Sequence, residues 1–275
     1  MSTVFDLDRT PVRFVTLGDS ATHGVGDQVG GTWRGWARIL ADSLADRHQI
    51  QFDNLAVPGA TVSDVRRLQL DSALALRPHV ASLIVGLNDT LRSSWDARRV
   101  RDDLLHCGET LSAQGATLMT VRFHDHGAVL GLPGPLARPM TRRIEELNAA
   151  YDELHASFGG LRIDLSDRPE VQERSFWSVD RLHPSERGHR LLARTFAALL
   201  TQHGLPCPAP SPFCSEPAPT RRSEVRWLLT EGGPWLGRRA RDLGPWALRL
   251  AVSSALARTT ARRAVSPHEV RQLAA

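Results

Sequence analysis

The sequence contains no lysine: all 34 of its basic side chains are arginine. This absence excludes an amine nucleophile that forms Schiff bases, the phosphate-binding lysine of a P-loop and Ser-Lys catalytic pairs. Cysteine is also scarce, and the three cysteines lack the spacing of a metal site. Any chemistry of this chain must therefore come from other side chains.

Long apolar stretches are absent as well. No run of about 18 apolar residues occurs, so no membrane-spanning helix is predicted. The opening MSTVFDLDRTPV lacks the positive charge and the apolar core of a signal peptide. We therefore expect a soluble, cytoplasmic protein. A disulfide between Cys207 and Cys214 across a proline-rich loop is the alternative, but we expect both thiols to be reduced.

The formal net charge of +4 is unevenly distributed along the chain. Residues 207–275 carry 11 arginines and 5 acidic residues, whereas residues 1–206 carry 23 arginines and 25 acidic residues. The positive excess therefore belongs to the C-terminal part. The main body gives no indication of nucleic-acid binding, and no nucleic-acid partner is expected.

Strand-like and helix-like segments alternate five times up to residue 203. Short apolar or β-branched runs predict strands, and apolar residues at helical spacing predict helices. This alternation predicts an α/β protein in which helices cover both faces of a five-stranded parallel sheet. The strands are predicted at 12–17, 50–56, 80–86, 116–122 and 161–165, and the helices at 32–48, 61–76, near 96–114, 140–158 and 185–203.

The composition changes after residue 203, where we place the end of the main domain. Residues 204–220 hold six prolines, which predicts a linker or a strap without regular structure. Residues 221–275 are predicted to form a helical extension rich in arginine and tryptophan. Within 243–275, apolar residues recur every four positions among arginines, which favours a helix packed on the main domain. Weak contact with a membrane surface is the alternative.

Polar residues and glycines follow the predicted strands at the points where the strands end. Ser20 follows the first strand, Gly59 the second and Asn88 the third. Asp180 and His183 follow the fifth, just before the last helix. Because parallel sheets place their active sites at the carboxyl ends of the strands, we expect these five residues to lie close together.

These residue types suit acyl transfer through a serine nucleophile. An alcohol needs an adjacent base at neutral pH, which His183 would supply to Ser20. The three-residue spacing lets Asp180 hold the other nitrogen of the ring. The backbone N–H groups of Ser20 and Gly59 and the amide of Asn88 would stabilise the oxyanion. The sequence therefore predicts a Ser-His-Asp triad with an oxyanion hole.

Four segments, GDSATHG, NLAVPGAT, VGLND and DRLHPSERGH, resemble in order the four blocks of the GDSL/SGNH hydrolases. The resemblance covers about residues 12–202. It implies a flavodoxin-like three-layer α/β/α sandwich and hydrolysis of carboxylic esters, thioesters or acetylated sugars, without metal or other cofactor. The segment EVRWLLTEGGPWLGRRARD also resembles the C-terminus of intracellular actinobacterial members.

The segments also depart from the family pattern. His23 stands where the family often has glutamate, and Leu87 replaces one of the two glycines that usually precede Asn-Asp. Both changes concern the lining of the acyl pocket, so the substrate is not inferred from relatives.

Four further side chains are candidate substrate-binding residues: His23, Arg92, His124 and His126. Arg92 either binds a substrate carboxylate or forms part of the scaffold. The two histidines of FHDHG are expected to line the pocket or face solvent. With His23 they suggest a metal only weakly, because a third committed ligand is missing. The glycine-rich GVGDQVGG lacks the strand–turn–helix context of a dinucleotide site.

The leading hypothesis is a serine esterase acting on a small acyl ester. The alternative is an acyltransferase or thioesterase-type enzyme that acts on a biosynthetic intermediate, since pocket shape and water access choose the acceptor. A non-catalytic interaction protein is the third hypothesis, and it predicts a degraded triad.

Overall fold

Five parallel strands form the centre of the protein. The computed structural model describes residues 11–131, 134–215, 220–227 and 229–230. The sheet order is β4-β1-β5-β6-β7, as predicted for an α/β fold with a parallel sheet. The strands are β1 (Val12–Gly18), β4 (Ile50–Asn54), β5 (Val80–Ile84), β6 (Thr117–Arg122) and β7 (Leu161–Asp164); β2 (Gln28–Val29) and β3 (Thr32–Trp33) form a separate antiparallel ribbon.

Burial explains why the central strands are apolar along their length. Every residue of β5 is buried, and so is nearly all of β1, because helices cover both faces. β1 pairs with β4 on one side and β5 on the other, so Thr16 lies opposite both Asn54 and Ser82. The carboxyl ends of β1 and β5 therefore lie side by side at the middle of one sheet edge.

Helices flank the sheet in two packed pairs, α2 with α10 and α6 with α8. Trp36 and Phe196 stack between α2 and α10 with their ring centroids 5.0 Å apart. The helices of the main body are α1 (Ser20–His23), α2 (Gly35–Ala45), α3 (Val62–Asp64), α4 (Leu70–Ala75), α5 (Leu87–Thr90), α6 (Ala97–Ala113), α7 (His126–Val129), α8 (Gly134–Phe158), α9 (Pro169–Gln172) and α10 (Glu186–Gln202); π-helical Val65–Gln69 and 3₁₀-helical Arg174–Phe176 complete them.

Two helices begin at residues other than those predicted. The first was expected at 32, but Thr32 and Trp33 form β3, so α2 starts at Gly35. The fourth was expected at 140, after the PGPLARP segment, but α8 starts at Gly134. Pro135 lies in its first turn, where backbone N–H groups have no partner within the helix, so a proline there costs no hydrogen bond. Pro139 lies inside the helix and removes one backbone bond there.

The segment predicted as one helix at 61–76 contains a π-turn at Val65–Gln69. The turn places the buried Gln69 against the end of β1. Its Oε1 accepts a hydrogen bond from the Gly18 N–H, and its Nε2 donates to the Gly18 carbonyl, both at 2.9 Å. Gln69 thus satisfies both backbone groups of the residue at which β1 ends.

The proline-rich segment is a strap along the main body over residues 204–215. Leu205 and Cys207 are buried. The carbonyl of Pro206 accepts a hydrogen bond from His48 Nε2 at 2.7 Å, and that of Ser211 accepts one from Arg190 at 3.0 Å. Because the strap forms no helix or sheet, its carbonyl groups accept hydrogen bonds from side chains of the main body instead.

The C-terminal extension is described only at its start, where α11 (Arg221–Trp227) forms a short helix. The apolar, arginine-rich stretch at 243–275 lies outside the described residues. Within the described ranges, no helix combines the length and apolar character that a membrane crossing requires. Cys107, Cys207 and Cys214 are free thiols; the first two are buried and Cys214 is exposed.

The buried Tyr151 hydroxyl gives a prediction for stability. It accepts a hydrogen bond from the Val85 N–H at 3.0 Å and donates to the Val85 carbonyl at 2.8 Å. Tyr151→Phe leaves both backbone groups without this partner, so we expect the free energy of unfolding to fall by about 1–3 kcal/mol. Urea denaturation measures this, with exposed Glu145→Gln on the same helix as the control. An unchanged midpoint for Tyr151→Phe would contradict the role of this bond.

Candidate active site

A cavity of about 320 Å³ opens at the carboxyl ends of β1 and β5. Most of its wall is apolar, and a small set of polar groups converges on one side. This composition is typical of a small-molecule site. The polar side is formed by Asp19, Ser20, Gly59, Asn88 and His183, and the apolar side by Ala21, Val25, Pro58, Ile84, Leu87, Leu91, Phe123 and Leu182.

Ser20 lies at the first position of α1, directly after β1. Asp19 caps this short helix, and its Oδ1 accepts a hydrogen bond from the Ala21 N–H at 3.1 Å. The helix ends after one turn at Gly24, which has a left-handed conformation. The sharp change from strand to helix therefore fixes the Ser20 side chain at the mouth of the cavity.

His183 and Asp180 lie together in the loop before α10. Nδ1 of His183 is 2.6 Å from Asp180 Oδ2, and its Nε2 is 2.8 Å from Ser20 Oγ. The structure thus brings the three residues of the predicted triad into one hydrogen-bonded line. Because Asp180 holds Nδ1–H, Nε2 is left to accept the proton of the serine.

The charge on Asp180 is stabilised inside the protein. Burial alone would raise the pKa of this carboxyl group. The hydrogen bond and charge of His183, the Ser178 hydroxyl and the Leu182 N–H outweigh burial and hold the pKa well below its usual range. Asp180 is therefore a carboxylate throughout the physiological pH range.

Two backbone features shape the histidine loop. Arg181 has a φ of +56°, a conformation that non-glycine residues adopt rarely and that stores strain. Gly26, with a φ of +103°, lies so close to this loop that a Cβ there would stand 2.1 Å from the Pro184 carbonyl oxygen. The absence of a side chain at Gly26 thus allows the loop to approach the serine.

Ser20 and Gly59, whose backbone N–H groups are the predicted oxyanion donors, both line the cavity. Gly59 has a φ of +83°, and a Cβ at this position would meet nothing within 4 Å. Glycine is therefore favoured at position 59 by the positive φ of the backbone and not by a lack of space for a side chain. Within the described residues, neither the Ser20 nor the Gly59 N–H has a hydrogen-bond acceptor. Both N–H groups thus belong to residues that line the same cavity and are without an acceptor in the described part of the chain.

The Asn88 amide is already engaged with the protein. Its Nδ2 donates to the Ala60 carbonyl at 3.1 Å and to Asp19 Oδ2 at 3.3 Å. These bonds fix the side chain at the wall of the cavity that Ser20 and Gly59 also line. The longer bond, to Asp19, is the weaker one by distance.

Arg92 lies behind the cavity wall and is absent from its lining. Its Nη2 donates to the Gly59 carbonyl at 2.9 Å. The turn that carries Arg92 is itself held by the buried Arg143, which donates to the carbonyls of Thr90 at 2.7 Å and Arg92 at 2.9 Å. Of the two alternatives for Arg92, the contact matches the scaffold role, because Arg92 fixes the loop that presents the Gly59 N–H.

Two buried carboxyl groups adjoin the site. Burial raises the pKa of Asp19 to about 6 and that of Asp89 to about 7. Asp89 Oδ2 accepts a hydrogen bond from the Val62 N–H at 3.1 Å, and Asp19 caps α1. Both carboxyl groups thus accept hydrogen bonds from the backbone of the loops that carry the site.

The expectation that His124 and His126 line the pocket or face solvent is wrong. Both are buried, at 3% and 0% exposure, and their facing nitrogens are 2.9 Å apart. They pack against Trp177, whose ring centroid lies 4.7 Å from that of His124. Burial lowers the pKa of both rings, that of His126 to about 4, so the pair is neutral.

His23 also lies outside the cavity lining. Its Nδ1–H donates to the Ala56 carbonyl at 3.0 Å, and so it supports the loop after β4. Leu87, the second departure from the family pattern, does line the cavity. Across the described part of the chain, no group of three or more His, Cys, Asp or Glu side chains could hold a metal ion.

His189 belongs to the site's support and was missed in the sequence. Nδ1 of this fully buried ring accepts a hydrogen bond from the Trp36 N–H at 3.1 Å, and its Nε2–H donates to the Val25 carbonyl at 3.0 Å. It lies at the end of the first turn of α10, on the apolar side of that helix. The sequence did offer a signal, a histidine among the apolar positions of a predicted helix. Its hydrogen-bond partners lie more than 150 residues away and could not be inferred from the local pattern.

An ion cluster around Arg34 also joins α10 to the turn after α1, as His189 does. Its guanidinium binds Asp27 and Glu186 at 2.9 Å, and Glu186 also binds Arg190 at 2.8 Å. These side chains join the turn after α1 to the start of α10. The segment that carries Ser20 and the helix that follows His183 are therefore held together from behind.

A sequence model of the GDSL-like lipase/acylhydrolase family matches residues 16–191, which is more than half of the chain. The chain therefore belongs to this family, and it is an ester-hydrolysing enzyme. Among curated proteins it is similar to an acetylxylan esterase of Geobacillus stearothermophilus, with 23% identity over 155 residues that cover 54% of this chain and 70% of the relative.

Solved structures share the fold. The lipase/acylhydrolase of Enterococcus faecalis superposes with a TM-score of 0.57 at 22% identity, over 70% of this chain and 96% of that one. The esterase EstA of Pseudoalteromonas gives a TM-score of 0.55 at 15% identity, over 69% of this chain and 97% of that one. The family match ends before the extension, so the resemblance of the tail to actinobacterial members stays a prediction.

The contact between Arg92 and Gly59 gives a prediction for activity. Arg92→Met keeps the length of the side chain but removes its donors, so the loop with the Gly59 N–H loses its anchor. We expect kcat on 4-nitrophenyl acetate to fall about 10-fold or more with little change in KM, because a misplaced donor weakens transition-state binding.

The control for this change is the exposed Arg98→Met, and Arg92→Lys should restore part of the rate. Added guanidinium should also rescue Arg92→Met. A variant with an unchanged kcat, or with a change in KM alone, would contradict the positioning role.

The buried ring of His189 gives a prediction for pH dependence. Burial lowers its pKa to about 4 in the folded protein, against an ordinary value of 6.5. Between these values the unfolded chain binds a proton that the folded chain does not, so stability is complete above pH 6.5 and falls as the pH drops toward 4.

His189→Gln should flatten this fall, and urea midpoints measured from pH 7.5 to 4.5 test it. The exposed His106→Gln serves as the control. If the difference between wild type and His189→Gln stayed constant over this range, His189 would not be the titrating group.

Proposed function

We propose that this protein is a serine esterase whose nucleophile is Ser20. The observation that carries the proposal is the hydrogen-bonded line from Ser20 Oγ through His183 to Asp180, with distances of 2.8 and 2.6 Å. Family membership supports ester hydrolysis in general. The line of three residues supports the mechanism, because it is the arrangement that an alcohol needs to become a nucleophile.

In the proposed reaction, Ser20 Oγ attacks the carbonyl carbon of the ester while His183 Nε2 takes its proton. The tetrahedral intermediate collapses to an acyl-enzyme when His183 gives that proton to the leaving alcohol. A water then attacks the acyl group with His183 as the base, and Ser20 leaves with the proton restored. Asp180 keeps the ring in the correct orientation and stabilises its charged form.

The oxyanion is stabilised by three donors in this proposal. The N–H groups of Ser20 and Gly59 are without acceptors among the described residues, and both residues line the cavity. The Asn88 amide contributes by exchanging its 3.3 Å bond to Asp19 for one to the oxyanion, while its bond to Ala60 keeps it in place. Each such donor is worth on the order of 2.7–4 kcal/mol in barrier height.

The cavity supports a short acyl chain. Its volume of about 320 Å³ lies at the small end of the usual range for ligand sites, and its apolar wall leaves no charged group to bind an acyl chain with a polar end. Leu87, Leu91 and Phe123 close this side. The similarity to an acetylxylan esterase agrees with an acetyl or similarly short group.

We further propose that the hydrolase domain comprises residues 1–203, followed by the strap at 204–220 and the extension at 221–275. Free thiols at all three cysteines, one of them exposed, support a reducing compartment such as the cytoplasm.

A series of 4-nitrophenyl esters tests the proposal. Wild type should hydrolyse acetate and butyrate well and longer esters progressively less, because the cavity is small. Ser20→Ala should lower kcat by roughly 10⁴–10⁶-fold, since the nucleophile is lost. The exposed Ser93→Ala is the matched control. Wild-type turnover by Ser20→Ala would show that another residue does the chemistry.

A further inference from the structure

A second cavity, of about 230 Å³, adjoins two of the segments that form the active-site cavity. In the loop after β4, Gly59 lines the active-site cavity and Thr61 lines the second one. In α5, Asn88 lines the first and Asp89 the second. Among the described residues, the two linings have no member in common. The loop and α5 therefore separate the cavities, and a ligand in one does not occupy the other.

Three arginines from three different elements line the second cavity, which we call the arginine cavity. Arg67 belongs to the π-turn, Arg92 follows α5, and Arg99 lies in the first turn of α6. The hydroxyl groups of Ser63 and Ser94 belong to the same lining. A tetrahedral oxyanion presents oxygens in several directions, whereas a carboxylate presents two in one plane. Guanidinium groups from three elements thus suit a phosphate better than a carboxylate.

Each of the three arginines keeps donors for a ligand. Within the described residues, Arg67 makes neither a hydrogen bond nor an ion pair. Arg92 donates to the Gly59 carbonyl through Nη2, but a guanidinium has five N–H groups. Arg99 donates to Ser63 Oγ at 3.2 Å, a bond at the upper end of the normal range. An anion in the cavity would therefore receive charge-assisted hydrogen bonds.

Three of the carboxyl groups in the lining are held by donors of the protein. Asp64 accepts two hydrogen bonds, at 2.7 and 3.0 Å, from the capping threonine of α3. Asp96 caps α6 and accepts two backbone N–H groups at 3.1 Å. Asp103 forms ion pairs with Arg66, which lies outside the lining, and at 3.9 Å with Arg99. Arg66 thus compensates the charge of Asp103.

The fourth carboxyl group of the lining, Asp89, is buried. Burial raises its pKa to about 7, so a large part of it is neutral at physiological pH. The full negative charges left in the lining are those of Asp64 and Asp96, against three arginines. The charge balance of the arginine cavity therefore favours an anion.

Arg92 connects the arginine cavity to the proposed oxyanion hole. Its side chain lines this cavity, and it donates to the Gly59 carbonyl at 2.9 Å. An anion bound to its other N–H groups would restrict the guanidinium to the position in which it holds Gly59. The loop that presents the Gly59 N–H would then be better ordered before the substrate arrives.

We propose that the arginine cavity binds phosphate, either free or as the phosphate group of a small monoester, and that bound phosphate raises kcat through Arg92. The small volume fits an ion of this size rather than a larger ligand. The effect on kcat rests on the proposed function, because it requires the Gly59 N–H to be an oxyanion donor. Binding itself does not depend on that function.

Thermal unfolding of the full-length chain tests the binding. Inorganic phosphate is titrated at an ionic strength held constant with sodium chloride, and glycerol 3-phosphate is titrated in parallel. We expect Tm to rise by about 2–4 °C and to reach a plateau at millimolar phosphate. The arm that reaches its plateau at the lower concentration shows whether free phosphate or a monoester is preferred. Exclusion of phosphate from the protein surface would also raise Tm, but without a plateau.

Variants assign the binding to the arginine cavity. Arg67→Gln and Arg99→Gln should each weaken phosphate binding about tenfold or more, because a charge-assisted hydrogen bond is lost. The matched control is Arg98→Gln, which changes an exposed arginine beside Arg99 that does not line the cavity. It should keep the wild-type affinity. Each variant is compared with its own Tm in the absence of phosphate, so an effect of the substitution on stability does not enter.

Hydrolysis of 4-nitrophenyl acetate tests the effect on the active site. Saturating phosphate should raise kcat about twofold and leave KM unchanged, because the two cavities are separate and the gain lies in transition-state binding. In Arg92→Met, kcat should not respond to phosphate. An increase in KM alone would show that phosphate enters the active-site cavity, and it would overturn the proposal.

The two measurements separate this proposal from the esterase function. If Tm does not reach a plateau, or if Arg67→Gln binds phosphate as wild type does, the phosphate site is overturned and Ser20-dependent hydrolysis stands. If Tm responds as expected and kcat does not, the role of Arg92 in raising kcat is overturned. If no hydrolysis depends on Ser20, the esterase function fails, and the Tm series still decides the phosphate site.

Discussion

The hydrogen bond between Ser20 Oγ and His183 Nε2 joins segments 163 residues apart, and the candidate site depends on it. The sheet order separates β1 from β7 by two strands, so the loop after β7 has to cross back over the sheet edge. Packing of α10 on α2 makes this crossing possible. His189 and the cluster around Arg34 join α10 to the turn after α1, so the 2.8 Å distance is set by contacts behind the site.

The surroundings of three carboxyl groups near the site give them different pKa values. Asp180 receives donors from His183, Ser178 and Leu182, which hold its pKa below the usual range despite burial. Asp19 and Asp89 are also buried, but their donors are fewer, and burial raises their pKa values to about 6 and 7. The hydrogen bonds and the charge of His183 thus outweigh burial at Asp180, whereas burial outweighs the hydrogen bonds at Asp19 and Asp89.

Sequence patterns predicted the sheet and the clustering of the five residues, because each motif lies in the connection that follows the carboxyl end of a strand. Ser20, Gly59 and Asn88 needed only the rule that parallel strands end at one edge. The burial of His124 and His126 was missed, since it depends on Trp177, some fifty residues away. The role of Arg92 could be assigned only from its contact with Gly59. The start of α8 was missed because the helix contains two prolines, which sequence patterns treat as helix breakers. These features depend on tertiary packing, which local patterns do not contain.

The most direct test of the account is covalent labelling with a fluorophosphonate, followed by mass spectrometry of the digested protein. The reagent reacts with a serine that an adjacent base has activated. The account predicts a single adduct, on the peptide that contains Ser20, forming much more slowly in His183→Ala. An adduct on another residue, or full esterase activity after treatment without any adduct on Ser20, would contradict it.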